Sequence, residues 1–268
     1  MKYEVFFALP RDKYNARGLG GKGKVHGVCT LVRADIRKGR MGETKRVEWD
    51  LEGRVLVTEI LGKEGEGGGK LVVVNGYWPN GTTFPYRHSQ TGEVVGTRHD
   101  FKRGFHERML ELVKSYEAQC WSVVLIGDMN IAPSPLDGIP GIRLGDEHVI
   151  NRADFNWKFL DPHNGDGMRG VDSWRWFKGE GRAYTYHGEN EEEWGRSCDR
   201  VDLGVVSREL VEGGGLVGAG IWESVRERGA SDHVPIGVVV DLGRIGVIKV
   251  RRKRGSGSHV GGVVEGGE

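Results

Sequence analysis

The stretch WSVVLIGDMN, residues 121–130, runs from an apolar segment into a glycine, an acid and an amide. Its β-branched and aliphatic residues predict a buried strand, and Gly127 predicts a turn where that strand ends. At such a position the Asp128 carboxylate can bind a metal or take a proton from water, and the Asn130 amide can donate to a developing oxyanion. Because Gly-Asp-x-Asn is also ordinary turn chemistry, the tetrapeptide indicates a hydrolytic site only if other polar groups join it.

Three further polar clusters lie at the ends of apolar runs. They are NGYWPN (75–80) after the run 71–74, RVDL (200–203) at the start of a run, and SDH (231–233) before the run 234–240. Four polar clusters at the ends of four candidate strands predict one assembled site. Each residue also has a structural alternative: Asp232 could cap a turn, Asp202 could pair with Arg200, and Tyr77 could be a packing residue.

These clusters, in this order, resemble the endonuclease/exonuclease/phosphatase superfamily. DSWRW (172–176) and AYTY (183–186) resemble its apurinic/apyrimidinic (AP) endonuclease and exonuclease branch. The resemblance implies an α/β fold, a two-sheet β-sandwich flanked by helices (α/β/β/α). Family members begin with a strand ending in Trp-Asn, a helix, and a strand ending in Gln-Glu, whose glutamate is usually the principal metal ligand. This chain starts with MKYEVFFALP (1–10), so we expect the fold without its first N-terminal strand and helix, and without that ligand.

The resemblance also implies an activity: Mg²⁺- or Mn²⁺-dependent hydrolysis of the DNA backbone at abasic sites, of the AP endonuclease or 3′-5′ exonuclease type, in base-excision repair. Hard oxygen ligands suit such metals. The implied catalytic residues are Tyr77, Asp128, Asn130, Asp202 and His233; the implied metal ligands are Asp128, Asn130, Asp232 and His233; the implied substrate-binding residues are Asn80, Tyr186 and Trp174.

Within this scheme Asp128 orients or deprotonates the water, Asn130 donates to a phosphate oxygen, and Asp202 orients His233. Aromatic side chains such as Tyr186 would form a pocket for the flipped abasic sugar. Where family members often carry tryptophan, this chain has Asp199, which alters the specificity of that pocket.

Two other functions stay open. The first is a nuclease or phosphatase of the same superfamily that acts on another phosphoester. The second is a non-catalytic DNA- or protein-binding remnant, suggested by the missing glutamate, and for the same reason we expect a weak or inactive enzyme. The single histidines His106, His148 and His163 are predicted to be surface residues and not metal ligands, because none has a second ligand at metal spacing.

Composition predicts the domain organisation, the cellular location and the partners of the protein. The 268 residues, 37% hydrophobic with 45 glycines, predict one large domain over residues 1–245 and a basic, then Gly/Ser-rich, disordered tail over 246–268. No apolar stretch approaches the roughly 20 residues that span a bilayer. Three scattered cysteines indicate an intracellular protein, and RRKR (251–254) is typical of a nuclear-import or nucleic-acid patch or of a solvated end. We therefore expect a nuclear monomer that binds double-stranded DNA and no membrane, although the net charge of +1 by itself indicates no partner.

The order of elements favours a mixed α/β domain. Strands are predicted at 25–32, 54–60, 71–74, 201–206 and 234–240, besides the one that begins at Trp121. Helices are predicted at 100–119, with Asp100 as the N-cap, and at 146–160. The glycine loop GLGGKG (18–23) has dinucleotide-loop spacing, but a β-type run follows it and no helix N-terminus is there to hold a pyrophosphate.

Overall fold

A computed structural model describes residues 2–16, 27–62, 69–188 and 197–245. The strands are β1 Tyr3–Ala8, β2 Val28–Arg33, β3 Met41–Arg46, β4 Val55–Leu61, β5 Lys70–Tyr77, β6 Pro85–Arg87, β7 Val94–Thr97, β8 Trp121–Asp128, β9 Gly138–Ile139, β10 Val171–Asp172, β11 Tyr186–His187, β12 Cys198–Asp199, β13 Asp202–Val206, β14 Leu216–Ile221 and β15 Ile236–Val240. The helices are α1 Ala34–Arg40, α2 Arg98–Glu117, α3 Asp146–Phe155, α4 Ser173–Lys178, α5 Arg208–Glu212 and α6 Val225–Arg228. Short 3₁₀ turns lie at Pro135–Asp137 and Leu242–Arg244, and a π-helical segment, Asn156–Leu160, continues α3.

A six-stranded sheet in the order β10-β13-β8-β5-β4-β3 forms the centre of the domain. Strands β5 and β8 are parallel, with α2 connecting them, and the other neighbours are antiparallel. Side chains of successive residues point to opposite faces of a sheet, so each strand supplies two layers. The buried runs at the centres of β5 and β8 fit this position, because a central strand is covered on both sides.

Helices α2 and α3 cover one face of this sheet. Val72, Val74, Val123 and Leu125 of the sheet share a core with Phe105, Met109 and Val113 of α2 and with Phe155 and Phe159. Trp78, which is fully buried, lies at the middle, with its ring centroid 5.2 to 5.6 Å from those of Phe105, Phe155 and Phe159. Aromatic rings at these distances add to the stability of the layer.

Two hairpins, β1-β2 and β14-β15, lie on the opposite face. Leu71, Val124 and Val206 of the central sheet pack there with Leu216 and Val238, and the Asn75 Nδ2 donates to the Cys29 carbonyl of β2 at 2.8 Å. The mixed α/β fold with flanking helices is therefore confirmed. The second layer differs in detail from the predicted sandwich, because in the described residues it consists of two separate hairpins.

Most predicted elements are present, with shifted ends. The helix predicted at 100–119 is α2, and its N-cap is Thr97, whereas Asp100 is the third helical residue and completes a capping box with Thr97. The prediction of Asp100 as the N-cap is therefore wrong. Thr97 and Asp100 both suit capping and lie three residues apart, and only the backbone conformation decides which of them is the N-cap. The helix predicted at 146–160 is α3 with its π-helical continuation.

Several predictions fall outside the described residues: the glycine loop 18–23, the tail 246–268 and its RRKR cluster, from which the nuclear location was inferred. That location, the monomeric state and the domain boundaries stay predictions. Within the described ranges, no helix has the length and apolar composition needed to cross a membrane.

Candidate active site

The register of three neighbouring strands brings the predicted residues together. Tyr77 ends β5 opposite Asp128 at the end of β8, and Asp202 at the start of β13 lies opposite Asp128 on the other side. Because β13 is antiparallel to β8, its first residue reaches the same edge of the sheet as the last residues of the other two. The edge thus carries a phenol and two carboxylates side by side.

The GDMN turn has a backbone that its sequence explains. Gly127 has φ 133°, and a Cβ there would collide with the carbonyl oxygen of Gly76 on the neighbouring strand. Asn130 has φ 50°, in the left-handed region that asparagine tolerates better than most residues. Its backbone N–H donates to Asp128 Oδ1 at 2.8 Å. The turn therefore presents the Asp128 carboxylate in a fixed orientation.

The side chain of Asn130 holds this turn. Its Nδ2 donates to the Trp78 carbonyl at 2.9 Å and to Asp128 Oδ2 at 3.0 Å. Since an amide nitrogen carries two hydrogens, both are used. The predicted donation from Asn130 to a phosphate oxygen is therefore not available in this arrangement, and its carbonyl oxygen is the group left for a ligand.

A buried lysine lies behind the turn and gave no signal in the sequence. Lys102 on α2 is 1% exposed, and its Nζ donates to the Asn130 backbone carbonyl at 2.7 Å. Burial lowers the pKa of Lys102 to about 7, against the attraction of Asp128, which favours its charge. Lys102 thus fixes the left-handed residue of the turn from beneath the cleft.

His233 and Asp202 form the predicted pair. The Nδ1 of His233 lies 2.7 Å from Asp202 Oδ2. Burial opposes a charge on His233, but the hydrogen bond to Asp202 and the negative charges of Asp202, Asp128 and Asp232 outweigh it and raise its pKa to about 9. The imidazole is therefore protonated at neutral pH, and its second N–H is available to an anion. The alternative pairing of Asp202 with Arg200 is wrong, because Arg200 pairs with Asp137 and Asp172.

The pKa of Asp128 is also raised, but for a carboxyl group this disfavours the charged form. Burial, and then the repulsion of Asp202, raise the pKa of Asp128 above its usual range, although His233 and Lys102 counteract both. Burial and the charge of Asp128 likewise raise the pKa of Tyr77, which stays a protonated donor. An additional positive charge beside Asp128 would relieve this excess of negative charge.

Thr185 supports the pair and was also missed from the sequence. Its buried hydroxyl accepts hydrogen bonds from the backbone N–H groups of Val201 and Asp202 at 3.0 and 2.9 Å, and its carbonyl accepts from Val234 N at 2.9 Å. The segments before Asp202 and after His233 are thereby joined to one residue. These contacts explain the threonine in AYTY. They join segments that are distant in the sequence, so the residues around Thr185 do not predict them.

One cavity of about 230 Å³ opens onto these groups. The predicted residues that line it are Tyr77, Asn80, Asp128, Asn130, Tyr186, Asp232 and His233. Asp202 lies behind His233, to which it is hydrogen-bonded. Trp174 is not brought into the cavity: its indole is buried and lies against the guanidinium groups of Arg175 and Arg200, 5.0 and 5.4 Å away. The prediction that Trp174 lies in the substrate pocket is therefore wrong.

Four further ionisable residues line the cavity: Arg143, His148, Arg152 and Asp199. Only Asp199 had been placed at the pocket from the sequence. His148 was expected at the surface, but it is half-buried in the cavity wall. His106 was also expected at the surface and is fully buried, with Nδ1 2.7 Å from Asp154 Oδ2. Both histidines lie on helices whose faces the sequence did not resolve, whereas His163 is exposed as expected.

The donor set suits magnesium in its usual protein form. Among the residues that the structure describes, no three His, Cys, Asp or Glu side chains gather into a metal-holding group. Magnesium, however, is commonly bound by one or two carboxylates, and water and substrate phosphate complete its coordination. Asp128, whose raised pKa marks an uncompensated carboxylate, and Asp232 with the free oxygen of Asn130 are oxygen donors of this kind. These oxygen atoms are the ones that would hold a magnesium ion, with water and substrate phosphate completing its coordination.

Comparisons with known proteins give the fold. The chain matches no protein-family model and no curated protein. Among solved structures it is similar to an AP endonuclease from Archaeoglobus fulgidus (20% identity over 89% of this chain and 79% of that one, TM-score 0.56). It is also similar to the 3′ phosphatase NExo from Neisseria (18%, 89% and 88%, 0.57) and to an AP endonuclease from Leishmania major (18%, 88% and 69%, 0.58). The fold inferred from the superfamily resemblance is confirmed.

Proposed function

We propose that this protein hydrolyses phosphodiester bonds of DNA and cuts the backbone beside abasic sites. The observation that carries the proposal is the convergence, in one cavity, of the Asp128–Asn130 turn with the His233–Asp202 pair. A carboxylate that can orient water and a protonated imidazole that can bind an anion are two groups that can catalyse phosphoester hydrolysis. The similar AP endonucleases and 3′ phosphatase support this choice of reaction.

Each residue has a distinct task in this reaction. His233, held by Asp202, donates its free N–H to a phosphate oxygen and stabilises the charge that develops there. Asp128, fixed by Asn130, accepts a proton from the attacking water. Tyr77 supplies a hydroxyl to the phosphate or the leaving oxygen. A magnesium or manganese ion held by Asp128, Asp232 and the Asn130 oxygen would neutralise the phosphate and polarise its bonds.

The preference for an abasic nucleotide rests on the walls of the cavity. Tyr186 and Val201 line it beside His233, and the ring centroid of Tyr186 lies 5.1 Å from that of His233. An aromatic wall next to the phosphate site can accept a flipped sugar, which enters more readily when no base must be unstacked. Asn80 lies in the same wall and can donate to the substrate.

A direct assay tests the proposal. Purified protein is incubated with an abasic duplex, an intact duplex and an inositol phosphate, each with magnesium and with chelator. We expect slow, metal-dependent cleavage of the abasic duplex, in keeping with the weak enzyme that the sequence predicts, and a further reduction of roughly 10²- to 10⁴-fold in Asp128→Ala. The matched control is Asp166→Ala, an exposed aspartate outside the cavity, which should cut like the wild type. Undiminished cleavage by Asp128→Ala, or in chelator, would contradict the proposed chemistry.

A second candidate is hydrolysis of another phosphoester at the same site. Asp199, Arg143 and Arg152 make one wall of the cavity charged, which favours a more polar substrate than a bare sugar. Preferential hydrolysis of the inositol phosphate in the same assay would select this candidate. Salt-sensitive DNA binding without hydrolysis of any substrate would instead indicate a non-catalytic DNA-binding protein.

A further inference from the structure

The charged wall of the cavity comes from a short part of the chain. Arg143 precedes α3, and His148 and Arg152 lie on α3 four residues apart, so they share one side of the helix. Asp199 of β12 completes the wall. All four line the same cavity of about 230 Å³ as Asp128 and His233. A ligand bound at the catalytic pair is therefore within the reach of this wall.

The two guanidinium groups are not neutralised by ion pairs in the part of the chain that the structure describes. Arg152 Nη2 donates to the backbone carbonyl of Arg143 at 2.9 Å, and neither arginine has a carboxylate within salt-bridge distance among those residues. Asp199 is the acid that both attract, yet burial raises its pKa more than they lower it. Two guanidinium groups against one carboxylate leave the wall positive.

The chemistry of the wall matches a phosphate. A guanidinium presents N–H donors in a fork that fits two oxygens of a phosphate, and such charge-assisted bonds are about twice as strong as neutral ones. Burial and the charges of Arg143, His99, Lys102 and Arg152 lower the pKa of His148, so its neutral ring can donate a further hydrogen bond. A bare sugar, whose hydroxyl groups are neutral, would leave the two positive charges uncompensated.

We propose that Arg143 and Arg152, assisted by His148, bind a second phosphate, next to the scissile one in the same strand. This inference rests on the proposed function, because it takes the scissile phosphate to lie between Asp128 and His233. The subsite selects substrates that carry two neighbouring phosphates and orients the strand in the cavity, which Tyr186 and Val201 also line.

Charge deletion in the DNA tests the subsite. The probes are fluorescent abasic duplexes in which one linkage at a time, 5′ or 3′ of the abasic site or far from it, is an uncharged methylphosphonate. Binding of the full chain is measured by anisotropy without divalent metal. For the wild type we expect one neighbouring methylphosphonate to weaken binding about tenfold. The Arg143→Gln/Arg152→Gln double variant should bind that probe and the all-phosphate probe equally.

The matched control is Arg33→Gln/Arg108→Gln, which removes two exposed arginines outside the cavity, each paired with its own acid. It should keep the wild-type preference among the probes. In the subsite variant, the slope of log K against log salt should become shallower by about 1, because the contact with one phosphate is lost. Wild-type circular dichroism and thermal midpoints for both double variants establish that they are folded.

The outcomes separate the subsite from the hydrolysis. If the protein cuts abasic DNA but the subsite variant keeps the wild-type methylphosphonate profile, the subsite is refuted and the hydrolysis stands. If the wild type binds without cutting, the hydrolysis fails, and the loss or retention of the probe preference still decides the subsite. Equal weakening on every probe in both double variants would show bulk attraction alone and would overturn the subsite.

Discussion

Acidification should destabilise this protein through one buried histidine. His106 is fully buried among Trp78, Phe155 and Phe159, with Nδ1 2.7 Å from Asp154. Burial lowers its pKa from 6.5 to about 4, in spite of the hydrogen bond to Asp154. The unfolded chain therefore takes up a proton that the folded chain excludes. The stability that His106 contributes is complete above pH 6.5 and is lost as the pH falls towards 4.

The two pKa values of His106 set the size of the effect. Linkage with an unfolded value of 6.5 and a folded value of about 4 gives a loss of about 2 kcal/mol between about pH 7 and about pH 5. Because a domain is typically stable by only about 5 to 15 kcal/mol, this loss is large. Trp78 packs against His106, and its carbonyl accepts the Asn130 side chain, so the same core supports the site.

Urea unfolding at both pH values, followed by tryptophan fluorescence, measures this loss. The comparison is His106→Gln, whose amide can donate to Asp154 but does not titrate in this range. The variant should be less stable than the wild type near pH 7, and the difference should shrink by about 2 kcal/mol near pH 5. Other groups, such as His187, whose burial also lowers its pKa to about 4, contribute equally to the unfolding free energy of both proteins. Their contributions cancel when the two proteins are compared. Equal losses in both proteins would refute the assignment of a neutral, buried His106.

Two substitutions test the buried charges around the site. Lys102→Met leaves the Asn130 carbonyl without its donor, so the free energy of unfolding should fall by about 1 to 3 kcal/mol and cleavage of abasic DNA should slow; urea midpoints equal to those of the wild type would show that the contact is dispensable. Arg200→Met removes the shared partner of Asp137 and Asp172, and we expect a loss of about 3 to 5 kcal/mol by thermal unfolding. The exposed control Arg108→Met should change stability by less than about 0.5 kcal/mol.

The sequence predicted the catalytic edge well because that edge depends on strand ends. An apolar run followed by a polar cluster states where a strand stops, and Tyr77, Asp128 and Asp202 take their neighbours from strand pairing alone. His233 follows by its hydrogen bond to Asp202. The proposed reaction assigns its main roles to these residues, and their positions follow from the most regular part of the fold.

The walls of the cavity were harder to predict because they depend on how helices and loops pack. Arg143, His148 and Arg152 are ordinary surface residues in the sequence, and only the position of α3 brings them to the cavity. Lys102 is one of many lysines until α2 packs over the GDMN turn. Trp174 was misplaced for the same reason: aromatic residues near the site can pack on buried guanidinium groups as well as on a substrate.

Charge is distributed unevenly across the cavity, and this distribution defines the ligand it can accept. The carboxylate of Asp128 is held by Asn130 and carries an elevated pKa, so an added positive charge beside it would favour its ionised form. Arg143 and Arg152 line the same cavity and present positive charge to it. A neutral ligand satisfies neither group. The ligand we propose, a phosphate chain with a divalent cation, would satisfy both groups, because the cation would compensate Asp128 and the second phosphate would compensate the arginines. If the proposed ligand binds in this way, these two charges would orient the strand before any bond is broken, and the methylphosphonate series would report the direction of that orientation.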